Sequence, residues 1–232
     1  MKKYYINLLI IAIAVFFSFC KKKQEDKWKL PSSVKFTMDI NRESAMGGNL
    51  AFTGGNIILN YFSFDGKRDQ GGDVYFDNSS AINYSFDSNA TIPEWNFDIP
   101  QGSYSQIKIM YKTGGSQNDK QIVVTGTYTN STNSTVYPVR FEFQANQTFL
   151  IFAKAASGNS QIVLDKDVEA IAKIEMDPVY WFQVITPAMM DNANITNLNG
   201  TPTLLINKNT NNNINNAMQS RVHDNVTRVT FN

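Results

Sequence analysis

The chain predicts a mainly β protein: an immunoglobulin-like or transthyretin-like β-sandwich with short helices near its C-terminus. Three observations carry that expectation. Apolar and polar residues alternate with period two from Ser33 to about Lys173, the pattern of half-buried strands. Aromatic residues make up 12% of the chain, with ten Tyr and sixteen Phe, which suits pleated surfaces better than helices. Polar turns recur roughly every 8–15 residues, the rhythm of a sandwich and, less well, of a barrel. At 232 residues the chain can hold one large all-β domain or two small ones, and we read 33–232 as one.

Each element has its own signal. "SVKFTMDI" sets Val34, Phe36, Met38 and Ile40 on one face and Lys35, Thr37 and Asp39 on the other. "GNIILNYFSFDGKR" reads as a long strand ending at the turn signal Asp65-Gly66. "DVYF" and "INYSF" are shorter strands divided by Asn-Ser-Ser. "SYSQIKIMYK" alternates Tyr104, Ile107, Ile109 and Tyr111, with a one-residue offset near Gln106 that marks a bulge. After the loop at 113–116, "QIVVTGTYT" is a further strand. "YPVRFEFQANQTFLIFAKA" reads as two strands, 137–144 and 147–155, joined by Ala145-Asn146, and "QIVLDKDVEAIAKIEM" as one long or broken strand.

The last quarter changes character. In "MDPVYWFQVITPAMMDNA", Asp177 is an N-cap with Pro178 at the first helical position, and Thr186-Pro187 starts a second turn. Helical additions are therefore expected at about 177–192, with Trp181 sealing the end of the body rather than binding a ligand. "TLLIN" is a strand. Ile214, Ala217, Met218 and Val222 then fall on one face of an amphipathic helix over 210–223, and "VTRVTF" closes the chain as a strand.

Three stretches carry a likeness to a known group. "DIPQGSYSQIKIMY" (98–111) resembles a Pro-x-Gly-x-Tyr strand of an uncharacterised group of prokaryotic lipoprotein β-sandwich domains. "VRFEFQANQTFLIFA" and "EMDPVYWF" resemble that group's acidic-hydrophobic hairpin and its Asp-Pro-x-x-Trp-Phe helix. The resemblance spans about 98–182 and implies a cell-envelope sandwich with no known catalytic residue. Gly102 fits a tight turn feeding a strand, a structural role.

The N-terminus points to the same compartment. Lys2 and Lys3 precede a 16-residue uncharged stretch, 4–19, which as a helix would reach about 24 Å, short of the roughly 30 Å hydrocarbon core. That length fits the apolar part of a secretory signal. The stretch ends at Cys20, the one cysteine of the chain, so no intramolecular disulfide can form. A signal closed by cysteine resembles the bacterial lipoprotein signal, which implies a diacylglycerylated Cys20 as the first mature residue after removal of 1–19. Ser18 suits that pattern, whereas Phe19 stands where the family has Gly, Ala or Ser. An uncleaved signal anchor flanked by Lys21, Lys22 and Lys23, and a secreted protein with an incidental cysteine, are the alternatives. Residues 20–32, charged and without apolar periodicity, read as a solvated tether. The short charged run 21–26 resembles the signal that follows the cysteine in lipoproteins sent to the outer face of some Gram-negative cells.

Charge excludes one partner. The formal net charge of +1 includes the N-terminus; from Leu30 onward 14 Lys and Arg face 18 Asp and Glu. A body near −4 has no electrostatic reason to bind nucleic acid. Several N-x-S/T triplets, Asn78-Ser79-Ser80 among them, follow from abundant Asn rather than glycosylation.

Signs of catalysis are sparse. The sole histidine, His223, sits in the terminal polar helix as a solvent-facing residue, and no G-x-S-x-G elbow or G-x-x-x-x-G-K loop occurs. One His and an acylated Cys cannot supply tetrahedral zinc. Asp65, Asp69, Asp73 and Asp77 recur every four residues among glycines, an arrangement open to calcium but read first as a solvated hairpin loop. Asp165, Asp167 and Glu169 alternate along one face of a strand and are assigned to a water-facing edge. The resulting expectation is a lipid-anchored, non-catalytic binding or structural module of the cell envelope, whose partner is the membrane through Cys20 together with a glycan or protein ligand. No cofactor is expected. A calcium-stabilised adhesion or glycan-binding domain, and then a surface hydrolase with paired carboxylates, are the alternatives.

Overall fold

Alternation organises the first strand: Val34, Phe36, Met38 and Ile40 of β1 (Pro31–Ile40) are all buried, while Lys35, Thr37 and Asp39 face outward and are half-buried. The computed structural model describes residues 27–91, 93, 95–116, 120–144, 146–224 and 227–232. The next strand, β2 (Leu50–Arg68), is 19 residues long. It is followed by β3 (Val74–Asn78), β4 (Ile82–Ser85), β5 (Asn96–Pro100), β6 (Gly102–Thr113) and β7 (Ile122–Thr129). Then come β8 (Val136–Phe143), β9 (Thr148–Phe152), β10 (Lys154–Ala155), β11 (Ile162–Leu164) and β12 (Ala170–Met176). Two five-residue helices, α1 (Pro178–Phe182) and α2 (Pro187–Asp191), precede β13 (Thr196–Leu198), β14 (Thr201–Ile206), α3 (Asn212–His223) and β15 (Arg228–Phe231).

The strands form two sheets. The smaller runs β10-β15-β12-β1-β5; the larger runs β11-β6-β2-β7-β8-β14-β13, with β3 and β4 added to β2 and β9 to β6. One apolar core joins them. Phe36 of the small sheet meets Phe62 of the large one at 4.9 Å, edge to face, and also touches Trp95, Phe97 and Phe231.

β2 is the spine of the larger sheet. β7 pairs with its first half and β6 with its second, and β4 and β3 pair along it as well. The registers place β6 and β7 head to tail along one side, since Gly114 N donates to the Ile58 carbonyl and Ile58 N to that of Gln121. β8 and β9 likewise follow one another, beside β7 and then beside β6. They are therefore not a hairpin, as the reading of 137–155 implied, because both edges of β8 are already taken by β7 and β14. The bulge expected near Gln106 is present: Lys67 opposes Gln106 and Arg68 opposes Tyr104, leaving Ser105 over.

Asp65-Gly66 is not a turn. β2 continues through it, pairing Asp65 with Tyr75 and Lys108. Glycine is needed there for space, since a Cβ on Gly66 would lie 2.6 Å from the Tyr104 ring. The chain turns beyond it, where Gly71 has φ +85° and Gly72 φ +79°. The expected strand over 161–176 is broken, with β11 in the larger sheet and β12 in the smaller. Its partner β1 runs parallel to it.

The helices match their signals. Asp177 accepts a hydrogen bond from Tyr180 N and Thr186 from Met189 N, as N-caps, and Trp181 and Phe182 pack on Phe141. Trp181 is buried, in the sealing role expected of it. Ile214, Met218 and Val222 of α3 are buried as one stripe. At the opposite end the fold reaches further towards the N-terminus than 33. β1 begins at Pro31, and the chain at 27–30 lies against the body instead of standing off it as tether.

Candidate functional site

Cys20, the signal at 1–19 and the charged run at 21–26 lie outside the described residues. Among the described residues no helix is long and apolar enough to cross a membrane.

The carboxylates singled out in the sequence disperse. Asp65 pairs with Lys108 at 2.6 Å. Asp69 accepts from Gln161, and Asp73 from Arg68 N at 3.4 Å. Asp77 accepts from the hydroxyls of Tyr61 and Tyr75, each at 3.2 Å. Asp165, Asp167 and Glu169 occupy the turn between β11 and β12, not one face of a strand, because the chain crosses there from one sheet to the other. Asp165 Oδ1 accepts from Asp167 N at 2.9 Å, and Lys166 pairs with Asp167. No three His, Cys, Asp or Glu side chains among the described residues gather where a cation could sit. His223 is exposed at the end of α3, with its ring edge-on to Phe143 at 5.9 Å.

What the fold does assemble is the outward face of β3, β2, β6 and β9. Cross-strand register builds it in rows. Tyr75, Asp65, Lys108 and Phe152 form one row, and Asp77, Ser63, Met110 and Leu150 the next. Tyr61, Lys112 and Thr148 form a third. With strands about 4.8 Å apart, the four span roughly 14 Å. Tyr75 is 61% exposed, Phe152 53% and Leu150 40%. The Tyr61 and Tyr75 hydroxyls lie 3.1 Å apart over Asp77, and Lys112 Nζ stands 4.8 Å from the centre of the Tyr61 ring. The Tyr61 hydroxyl, then desolvation and the Asp77 carboxylate, hold the Tyr75 hydroxyl above the ordinary tyrosine range.

Further along the same outward side of β2 lies an open polar cleft of about 330 Å³, lined by Asn56, Asn83, Ser85, Asp87, Thr125 and Arg140 around Gly55. Two glycines make room for it. A Cβ on Gly54 would fall 1.9 Å from Asp87 Oδ1, and one on Gly55 would fall 2.0 Å from the Val123 carbonyl oxygen. Asp87 Oδ1 accepts from Gly55 N at 3.2 Å, and Asn56 donates to Asn83 at 3.1 Å.

One buried acid stands beside this cleft. Glu142 is 3% exposed and accepts from Arg140 at 2.6 Å, Lys120 at 2.7 Å and Asn207 at 3.0 Å. Burial pushes its carboxyl up, but the three donors together outweigh burial and hold it below the usual range. Its bonds are internal, which marks it as a structural group. Asp191 is another, tying α2 to the 131–132 turn and Tyr128 through Ser131 N, Thr132 Oγ1 and the Tyr128 hydroxyl. The sequence reading passed over Tyr61, Tyr75 and Arg140. Alternation along β2 and β3 puts the tyrosines outside, yet nothing local says that the two strands bring their hydroxyls together.

No family model matches the chain, and neither a curated protein nor a solved structure matches it. The likeness read over 98–182 rests on its quoted residues.

Proposed function

We propose that the protein is a lipid-anchored component of the cell envelope, held in the outer membrane through an acylated Cys20, and that its body is an immunoglobulin-like or transthyretin-like β-sandwich serving as a non-catalytic binding module. The observation that carries the binding role is the face of β3, β2, β6 and β9. There, exposed rings and apolar side chains stand beside hydroxyl, carboxylate and ammonium groups. An aromatic surface ringed by polar groups suits a glycan, whose sugar rings offer C–H faces for stacking and hydroxyls for hydrogen bonds. The polar cleft on the same side of β2 extends that surface with amide, carboxylate and guanidinium groups.

Intact mass of membrane-extracted protein tests the anchor. The expected product lacks 1–19 and carries acyl mass that Cys20→Ser abolishes. A panel of envelope glycans tests the ligand: binding that Tyr75→Ala weakens at least tenfold, with folding unchanged, is the expected result. Selective capture of a protein with no glycan bound would replace the ligand class and keep the face. Binding indifferent to Tyr75, Tyr61 and Phe152 would remove the face.

A further inference from the structure

The chain enters the domain through a clamp built on one arginine. Arg68, at the end of β2, donates from Nη1 to the carbonyls of Trp28 (2.7 Å) and Gln101 (3.0 Å). Its Nε donates to the Gly72 carbonyl and its Nη2 to that of Gly71, both at 2.6 Å. Gln101, itself buried, donates from Nε2 to the Lys27 carbonyl at 2.6 Å and from its backbone N to that of Leu30 at 2.8 Å. Its Oε1 accepts from Lys166 N at 3.3 Å. Trp28 lies against Gly71, where a Cβ would come within 2.7 Å of the Trp28 Cβ. The entry segment, the loop after β2, the β5–β6 corner and the β11–β12 turn are thereby fixed to one another at one pole.

That pole can be placed relative to a membrane by chain length. Seven residue steps separate Cys20 from Lys27. At no more than about 3.6 Å per residue they span at most about 25 Å, whatever their conformation. β1 leaves the pole at Pro31 and rises for ten residues, about 30 Å, to Ile40. Residues 27–30 of the entry segment suit a bilayer boundary, beside the exposed carboxylates of Asp69, Asp73, Asp165 and Asp167 in the adjoining loops. Trp28 is half-buried and Leu30 is 42% exposed, and Lys27 and Lys29 alternate with them and are exposed. Apolar bodies at headgroup level with ammonium groups reaching the phosphates are a membrane-interface arrangement.

We infer that the Arg68 clamp seats the domain end-on against the phospholipid bilayer that holds its own acyl chains, with 27–30 in contact with the headgroups and the far end of β1 pointing away. This rests on the acylation of Cys20 proposed above. The occupant is the lipid surface because the tether leaves the domain at this pole and keeps the pole within about 25 Å of it. The binding face then lies along the side of the domain, β2 running from the pole outward, where neither bilayer nor tether covers it.

Cys20 is the one cysteine of the chain, so once acylated it leaves introduced cysteines free for selective labelling. Gln70→Cys marks the pole and Glu43→Cys the region beyond the far end of β1; both native side chains are exposed. Full-length lipidated protein in phospholipid vesicles carrying a headgroup spin label should show strong quenching of a fluorophore at 70 and little at 43. Arg68→Ala should narrow the difference at least twofold with the circular dichroism spectrum unchanged. Membrane-bound protein quenched equally at both positions in the Arg68 background would overturn the seating and leave the anchor standing. An unacylated protein recovered without detergent would overturn both.

Discussion

Phe36 is the ring on which the two sheets close, and its truncation should be among the most damaging single changes in the chain. It is fully buried and touches Phe62 at 4.9 Å, Trp95 and Phe97 at 5.7 Å and Phe231 at 6.1 Å. Removing a buried Phe side chain costs about 3–5 kcal/mol in transfer and cavity terms. Four aromatic neighbours place Phe36→Ala towards the middle or top of that range, near 4 kcal/mol. For a domain of this size each kcal/mol moves Tm by about 2–4 °C, so the loss corresponds to roughly 8–16 °C. Urea unfolding followed by tryptophan fluorescence reads the change, since Trp95 and Trp181 are both buried. The midpoint should fall with the slope unchanged. Phe152→Ala is the control: with Phe152 53% exposed, it should stay within about 0.5 kcal/mol of wild type. A Phe36→Ala variant as stable as the Phe152→Ala control would refute the view that this ring joins the sheets.

Three further outcomes are expected. Glu142→Gln should lose about 1–3 kcal/mol at neutral pH, because two cations and an amide lose a buried carboxylate. The carboxyl is held low in the fold, so its contribution is present above the unfolded pKa of about 4.3 and is lost as pH falls through the lower folded value. Acid titration of stability should therefore be flatter in the variant, and identical curves would exclude the role. Burial raises Tyr84, Tyr104, Tyr111 and Tyr128, with Tyr104 pushed up to about 12. Their stabilisation is complete below about pH 10 and declines as pH climbs towards the folded values, so alkaline unfolding should track tyrosinate absorbance; a flat profile from pH 10 to 12 would count against it. Gly126→Ala should cost about 1–3 kcal/mol in urea midpoint, because its Cβ would sit 1.9 Å from the Ala51 carbonyl oxygen and only backbone movement relieves it. An unchanged midpoint would show that the β2–β7 ladder yields there.

Much of the fold was legible in the alternation. The inward sets of β1 and β6, the bulge at Ser105 and the caps at Asp177 and Thr186 are each dictated by neighbours within a few residues. The errors arose where a local signal had a distant cause. Gly66 resembles a turn residue but is small because the Tyr104 ring lies over it, and Tyr104 comes from another strand. The aspartates at 65, 69, 73 and 77 do lie on a hairpin, that of β2 and β3, as read; but Asp65 turns to Lys108 and Asp69 to Gln161, while Asp73 and Asp77 are held within the hairpin by Arg68, Tyr61 and Tyr75.

By itself the sequence determined which residues face inward, where short helices begin and that the first twenty residues resemble an export signal ending in cysteine. Those properties depend on period, capping and composition, all of which act over a turn or a strand. Only the tertiary structure decided that β1 and β12 run parallel, that Tyr61 and Tyr75 share Asp77, and that Arg68 holds the entry segment to the end of β2. Each of those contacts joins groups far apart along the chain or on separate strands. Hydrophobic burial brings such groups together by selecting a packing of whole strands, and a strand carries no mark of the neighbour it will meet.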